Sequence, residues 1–340
     1  MNKELLTASR MAALMACPRK HYWRYERKLR AVRDSAPLRF GTAWHRALEA
    51  RFAGSGYEDA LRLALETSAE IDPYEAATLQ GLLSAYWQHY GPAETGVTSV
   101  QPEIAFDSSI EGTRKFAAAG KIDGVGFTPD GRLVLVEHKT VGEDISDTSD
   151  YWQRLLRNDQ VCQYVLGASA LYGREIDSIV YDVARKPVTK PAENVPFVDE
   201  KGLKIVLDAN GDRVFKKNGE PKQTADKAAG EYVYGAKETP EAYAQRICDD
   251  ACARPEFYFA RKEVAVTHDA LEEFKANRLE LVRLIQHYRR RKYWPLAHGA
   301  MTCRFCEFAG FCLMGHAPAE GEPAPDGFEY VDDPNTELAR

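Results

Sequence analysis

The run Gly120-Lys-Ile-Asp-Gly-Val-Gly-Phe-Thr-Pro-Asp-Gly-Arg-Leu-Val-Leu-Val-Glu-His-Lys-Thr140 constrains this chain more than any other stretch. Thr128-Pro-Asp-Gly131 is a strong turn signal, because proline presets φ and glycine accepts a positive φ. Beyond it, Leu133, Leu135, Glu137 and Lys139 alternate with Val134, Val136 and His138, which is the period of a β-strand. A three-residue turn at 129–131 sets Thr128 against Arg132 and, counting back, Asp123 against Glu137. Opposed residues share a face at about 5 Å, so two carboxylates and the Lys139 ammonium converge.

That convergence suits a hard divalent cation. Mg²⁺ prefers oxygen ligands, keeps several waters and usually takes one or two protein carboxylates. Asp123 and Glu137 supply these, and the His138 carbonyl offers a third oxygen. Lys139 can hold or activate a water and neutralise charge building on a phosphate. The same residue types also form ordinary ion networks on solvated hairpins.

The chain has 340 residues, 44% hydrophobic and 28% charged, as expected of a soluble globular protein with enough length for a real core. No stretch is long or apolar enough to span a membrane, and Met1-Asn-Lys-Glu-Leu-Leu lacks a signal peptide's apolar core, so a cytoplasmic protein is expected. Seven cysteines without an export signal favour metal binding over disulfides. The net charge of −6 resides in the last 25 residues, where seven acids face Arg340 alone, and the body is neutral. Within the body, Arg19, Lys20 and Arg24 are interleaved with Tyr22 and Trp23, and Arg289-Arg-Arg-Lys292 precedes Tyr293 and Trp294. Cations for phosphates and rings for bases suit a single-stranded nucleic acid. Solvated faces of two amphipathic helices would look the same.

The pattern divides the chain into five parts. Residues 1–100 read as helical, with Ser9 capping the first helix and Gly41-Thr-Ala-Trp-His45 opening another. Residues 101–185 read as a β core, with strands at Gln101–Asp107 and Lys115–Ala119, the hairpin, a helix over Trp152–Leu171 and a strand at Ser178–Ala184. Residues 186–237 form a polar insertion, expected to be partly mobile, with a hairpin over Leu203–Lys217. Residues 238–315 read as helical, ending in a cysteine knot. Residues 316–340, acidic and rich in proline, are expected to be disordered.

Cys303, Cys306 and Cys312 follow C-x2-C-x5-C spacing and can wrap one soft metal centre, which needs a fourth ligand to close. Cys17, Cys162, Cys248, Cys252 and His316 are the candidates. Spacing alone separates neither these five nor zinc from an iron–sulfur cluster.

Six motifs now stand in order: Cys17-Pro-Arg-Lys with aromatics behind it, Gly41-x3-His45, Asp123, Glu137-x-Lys139, Gln160-x3-Tyr164 and the three-cysteine cluster. Together they resemble the PD-(D/E)xK nuclease superfamily, in its RecB-like branch with an iron–sulfur clasp, which includes the AddB nuclease domain, CRISPR adaptation nucleases and phage exonucleases. The resemblance implies an α/β fold with a mixed central sheet of restriction-endonuclease-like type, flanking helices, an N-terminal helical region and a C-terminal cysteine clasp. It implies that Asp123, Glu137, His45 and the His138 carbonyl hold Mg²⁺ or Mn²⁺, that Lys139 positions the attacking water, and that Gln160 and Tyr164 orient Lys139 and touch the DNA backbone. Glu103 is expected as a more distant carboxylate. The fourth cluster ligand would be Cys17, making a structural [4Fe–4S] centre, with zinc as the alternative.

The function so implied is a metal-dependent DNA nuclease acting on single strands or duplex ends, with Arg19, Lys20, Tyr22, Trp23 and Arg24 at the DNA entrance, in phage or bacterial recombination, repair or processing. No G-x4-G-K-[ST] phosphate loop occurs, so a helicase, recombinase or annealing partner is expected as a separate polypeptide. A nucleic-acid-binding adaptor with a decayed site is the alternative; the full set of side chains speaks against it.

Overall fold

A computed structural model describes residues 3–67, 71–91, 97–155, 157–297, 299–315 and 318–338. Its centre is a mixed six-stranded sheet made of β1 (Glu4–Leu6), β2 (Thr98–Ser109), β3 (Phe116–Phe127), β4 (Leu133–Val141), β5 (Ser178–Arg185) and β6 (Phe259–Val264). β3 is antiparallel to β2 on one edge. On its other edge it changes partner: residues 116–118 pair in parallel with β1, and residues 124–127 pair antiparallel with β4. β4 and β5 are parallel, and β6 closes the sheet antiparallel to β5.

Six principal helices cover the sheet: α1 (Ala8–Ala16), α2 (Ala36–Phe52), α3 (Pro73–His89), α4 (Asp159–Tyr172), α5 (Pro240–Ala253) and α6 (His268–Arg291). One face carries Leu133, Leu135, Ile179, Tyr181 and Val183, which pack on Val161, Tyr164, Val165 and Ala168 of α4. The opposite side is built from Trp44 and Leu48 of α2, Tyr86 of α3 and Ile247 of α5, packed with Ala184 and Phe259. The alternation of β4 therefore sends Glu137 and Lys139 to the α4 face and His138 to the other.

The hairpin forms as its residues dictate. Gly131 adopts φ +84°, its N–H donates to the Thr128 carbonyl at 2.9 Å, and the Thr128 N–H donates to the Arg132 carbonyl at 3.0 Å.

Several expectations need correction. The first hundred residues are not all helical, because β1 joins the sheet and Leu29–Ala31 is a strand. Thr7, not Ser9, caps α1, its hydroxyl accepting the Arg10 N–H at 3.1 Å. The strand at Lys115–Ala119 is continuous with the hairpin's first strand. The helix over Trp152–Leu171 breaks, and Asn158 caps α4. Residues 186–237 contain short paired strands, and the expected hairpin over Leu203–Lys217 is present, turning at Asp208–Asp212. Within the acidic tail, the described residues 318–338 include a strand: Phe328–Tyr330 pairs antiparallel with Leu29–Ala31, and Phe328 packs against Phe308 and Phe311. Phe328 supplies the apolar contact that acidic composition conceals, and Tyr330 lies under the Arg27 guanidinium.

Candidate active site

Asp123 sits at the fork where β3 exchanges β1 for β4. The ladder ends with Gly124 paired to Val136, and the next step of that register sets Asp123 opposite Glu137. The Asp123 carboxylate takes the place of the diverging main chain: its Oδ2 accepts the His138 N–H at 2.8 Å. Because a strand residue directs its N–H and C=O to the same edge, the His138 carbonyl also faces the fork. Gln163, fully buried, fills the fork from α4 and donates to the carbonyls of Leu6 at 2.9 Å and Ala119 at 2.8 Å.

Glu137 is buried, and its Oε1 accepts from Lys139 Nζ at 2.5 Å. Lys139 also donates to Gln160 Oε1 at 2.8 Å, and Gln160 Nε2 donates to the Tyr164 hydroxyl at 3.0 Å. Gln160 and Tyr164, one helical turn apart, thus form a relay leading to Lys139. Gly120 lets the helix approach, since a Cβ there would stand 2.6 Å from the Tyr164 ring.

His45 arrives from α2, with Nδ1 3.2 Å from Asp123 Oδ1. Burial pushes the Asp123 carboxyl up, but the His45 charge and hydrogen bond, with His138 and Lys139 behind them, hold it well below the ordinary range. Glu137 goes the other way: burial and the Asp123 charge raise it, and Lys139 offsets only part. Burial disfavours the Lys139 ammonium, but Glu137 and Asp123 outweigh it and raise its pKa. Asp123 and Glu137 are therefore pushed apart, as happens at catalytic sites and also in buried structural ion networks.

The cleft in front has a volume of about 900 Å³ and is lined by His45, Glu49, Glu103, Asp123, Gln160 and Tyr164 among others. Glu103 lies beside Asp123 across β2 and β3, takes φ +54° and pairs with Lys121. Behind the sheet, buried Asp182 accepts from His138 Nδ1 at 3.0 Å, Arg261 Nε at 3.0 Å and the Tyr86 hydroxyl, fixing the residue between Glu137 and Lys139. Among the described residues no three His, Cys, Asp or Glu side chains stand close enough to enclose an ion.

At the far end of α1, Cys17, Cys303, Cys306 and Cys312 line one small cavity of about 20 Å³. The Cys17 sulfur accepts the Ala297 N–H at 3.4 Å, and none of the cysteines forms a disulfide. Burial raises the Cys306 and Cys312 thiols, and the Lys20 and Arg19 charges partly offset this. Cys162 lies instead in the core with Leu6 and Met11, and Cys248 and Cys252 stand together beside Gln88. His316 lies outside the described residues.

Of the five residues expected at a DNA entrance, one ring is withdrawn from solvent and the other four are partly exposed. Trp23 is 4% exposed and packs on Phe308 and Phe311, so it offers no stacking surface. Tyr22 wedges between Trp23 and Trp294. Arg19 donates to the Trp294 carbonyl at 2.7 Å, Lys20 lines the cysteine cavity, and Arg24 pairs with Glu307. The segment is the wall of the clasp.

The family model for the PD-(D/E)XK nuclease superfamily matches residues 5–313. The chain belongs to this superfamily. The nuclease is also similar to a solved protein from Eubacterium rectale provisionally named an exonuclease, at 11% identity over 95% of this chain and 92% of the other, with a TM-score of 0.48. A second solved structure, SSO0001, matches at 11% identity over 62% of this chain and 73% of the other, with a TM-score of 0.21. No curated relative matches. Its mixed sheet with flanking helices is consistent with the restriction-endonuclease-like fold of the superfamily, and no helix among the described residues is long and apolar enough to cross a membrane.

In the nuclease, then, His45, Asp123, Glu137, Lys139, Gln160 and Tyr164 come together, and so do the four cysteines. Sequence reasoning missed Gln163 and Asp182. Polar residues inside apolar runs were their only signal.

Proposed function

We propose that this nuclease is a metal-dependent deoxyribonuclease, an exonuclease that hydrolyses phosphodiester bonds in single-stranded DNA or at duplex ends. The observation that carries the reading is the convergence of Asp123, His45 and the Glu137–Lys139 pair at a break in the sheet, facing an open cleft. The donor set fits Mg²⁺ or Mn²⁺: two carboxylates, the His138 carbonyl and the His45 imidazole. A cation held there supplies Lewis-acid polarisation and a more acidic water.

The chain's own residues do the rest. Asp123 is kept ionised at neutral pH by the charges around it, and so is a ready ligand. Lys139 stays protonated, and its Nζ, aimed by Glu137 and Gln160, orients the attacking water and balances charge on the phosphate. Tyr164 steadies Gln160 and lines the cleft where the DNA backbone would pass.

The thiolate set of the clasp, four cysteines with Arg19 and Lys20 beside them, is the donor chemistry of a [4Fe–4S] cluster, with zinc the alternative, and the cavity of about 20 Å³ that they line would have to open to admit a cluster. Recombination or repair in a phage or bacterial setting, beside a separate helicase or annealing protein, is the proposed context. The deciding experiment gives the purified protein end-labelled, capped and circular DNAs with Mg²⁺ or Mn²⁺. Degradation confined to free ends supports an exonuclease, and binding without cleavage in either metal overturns the reading.

A further inference from the structure

Residues 187–237 leave the sheet just past the end of β5, where the Lys186 N–H donates to the Val141 carbonyl at the end of β4. They build a small β layer. Val195–Pro196 pairs with Gly235–Ala236, and Val206–Leu207 pairs with Tyr232–Val233. Three tight turns, each with a left-handed glycine (Gly202, Gly211 and Gly219), carry the bridges Val198–Lys204, Leu207–Arg213 and Phe215–Pro221. Such a layer has little core of its own, yet it presents four rings to solvent: Phe197 at 44%, Phe215 at 50%, Tyr232 at 45% and Tyr234 at 44%.

The register gathers these rings. The Phe197 N–H donates to the Tyr234 carbonyl at 2.9 Å, and the two ring centroids are 4.7 Å apart. Tyr232, two residues from Tyr234, shares its side and pairs with Leu207, which in turn bridges to Arg213. The Arg213 guanidinium lies 5.7 Å from the centre of the Phe215 ring. In this layer Lys201, Lys204, Lys217 and Lys227 are exposed and form no ion pair among the described residues, and the same holds for the acids Glu200, Asp212 and Glu220. The root of the layer is linked to the cleft through α3: the Tyr74 hydroxyl donates to the Glu238 carbonyl at 2.7 Å, and Glu75 beside it pairs at 2.9 Å with Arg39, which lines the cleft.

Exposed rings held on a paired backbone, with unpaired lysines in the same layer, match the faces of bases and the charge of phosphates. We infer that this layer is a stacking platform that holds a single strand of nucleic acid running to or from the catalytic cleft. The inference rests on the nuclease reading for its purpose, but not for its measurement.

Full-length protein without added divalent metal is titrated into a fluorescein-labelled twenty-nucleotide oligothymidylate, and anisotropy gives Kd. Phe197→Ser with Tyr234→Ser, and separately Phe215→Ser with Tyr232→Ser, should each weaken binding by about tenfold or more, since one stacked base is worth roughly 1–3 kcal/mol. Phe197→Tyr with Tyr234→Phe keeps both rings and should keep the affinity, which separates stacking from damage to the fold. In cleavage assays the loss should appear in KM for the oligonucleotide. Wild-type binding by both serine doubles, or no strand binding by the wild type, overturns the proposal and leaves the layer to another occupant such as a protein. Strand binding that depends on the rings, in a protein that cleaves nothing with Mg²⁺ or Mn²⁺, sinks the nuclease reading while the platform stands.

Discussion

Asp123 and His138 are joined side chain to main chain, with Oδ2 2.8 Å from the peptide nitrogen, at the one place where β4 has lost its neighbour. The acid is thereby oriented from behind, and its other oxygen is left for His45 and for a cation. Asp123→Ala removes the proposed ligand and also strands a backbone donor. Cleavage of a labelled oligonucleotide in Mn²⁺ should fall by at least about a hundredfold, beyond the range typical for residues one layer out from a metal. Asp123→Asn should lose as much activity with a smaller drop in melting temperature, because the amide oxygen can still accept the His138 N–H.

Lys139 depends on Gln160 for its aim. Gln160→Ala should lower the cleavage rate about 10- to 100-fold with little change in stability, whereas Tyr164→Phe, which removes only one hydroxyl contact, should do less. Gly120→Val should harm both rate and melting temperature, since even a Cβ would press on the Tyr164 ring. A Gln160→Ala enzyme as fast as the wild type would refute the relay.

Asp182 ties His138, Arg261 and Tyr86 together behind the site. Burial pushes its pKa up, but Arg261 first, then His138 and Tyr86, outweigh this and depress it. Its stabilising effect is therefore present above the ordinary carboxylate value near ~3.9 and lost as pH falls below it. Asp182→Asn should cost about 3–5 kcal/mol at neutral pH, leaving Arg261 buried without its counter-charge. Denaturant melts at a series of pH values should show the gap between wild type and variant narrowing below pH ~4.

The clasp separates four cysteines from three others. Cys17→Ser should strip bound metal and depress the melting temperature, and Cys162→Ser, a change in the apolar core, should keep the metal. Iron and sulfide analysis with the absorption spectrum distinguishes a cluster from zinc, which is colourless. Equal metal content in the two variants would contradict the placement of Cys17 in the cavity.

The tail strand is a structural part of the clasp. Phe328→Ala, losing a half-buried ring that rests on Phe308 and Phe311, should cost about 1 kcal/mol in a urea melt, below the figure for a fully buried side chain. No change in the midpoint would mean that the strand contributes nothing.

What could be read from the sequence was what neighbouring residues decide among themselves. Pro129 and Gly131 impose their turn locally, and the alternation from Leu133 to Lys139 follows at once, so the opposition of Asp123 and Glu137 came from counting alone. Distant partners left no such trace. Trp23 looked like a stacking ring because its partners, Phe308 and Phe311, lie near the other end of the chain. Phe328–Tyr330 looked disordered because acidic neighbours mask a three-residue strand whose edge is supplied by Leu29–Ala31. Gln163 carries no motif, and its role exists only because Leu6 and Ala119 bring unpaired carbonyls beneath it. The cysteines stand between these cases: spacing grouped three of them, the family resemblance named Cys17 as the fourth, and the fold places it in the same cavity.

The fork in β3 has a consequence for how such a protein can change. A flawless ribbon would consume the His138 amide in its own ladder and crowd out the acid that now rests on it. Substitutions that knit β3 and β4 together past Gly124 would make better architecture and, on the proposed function, a dead catalyst. Regularity and reactivity compete here for the same few ångströms, and selection for activity has to keep that seam open.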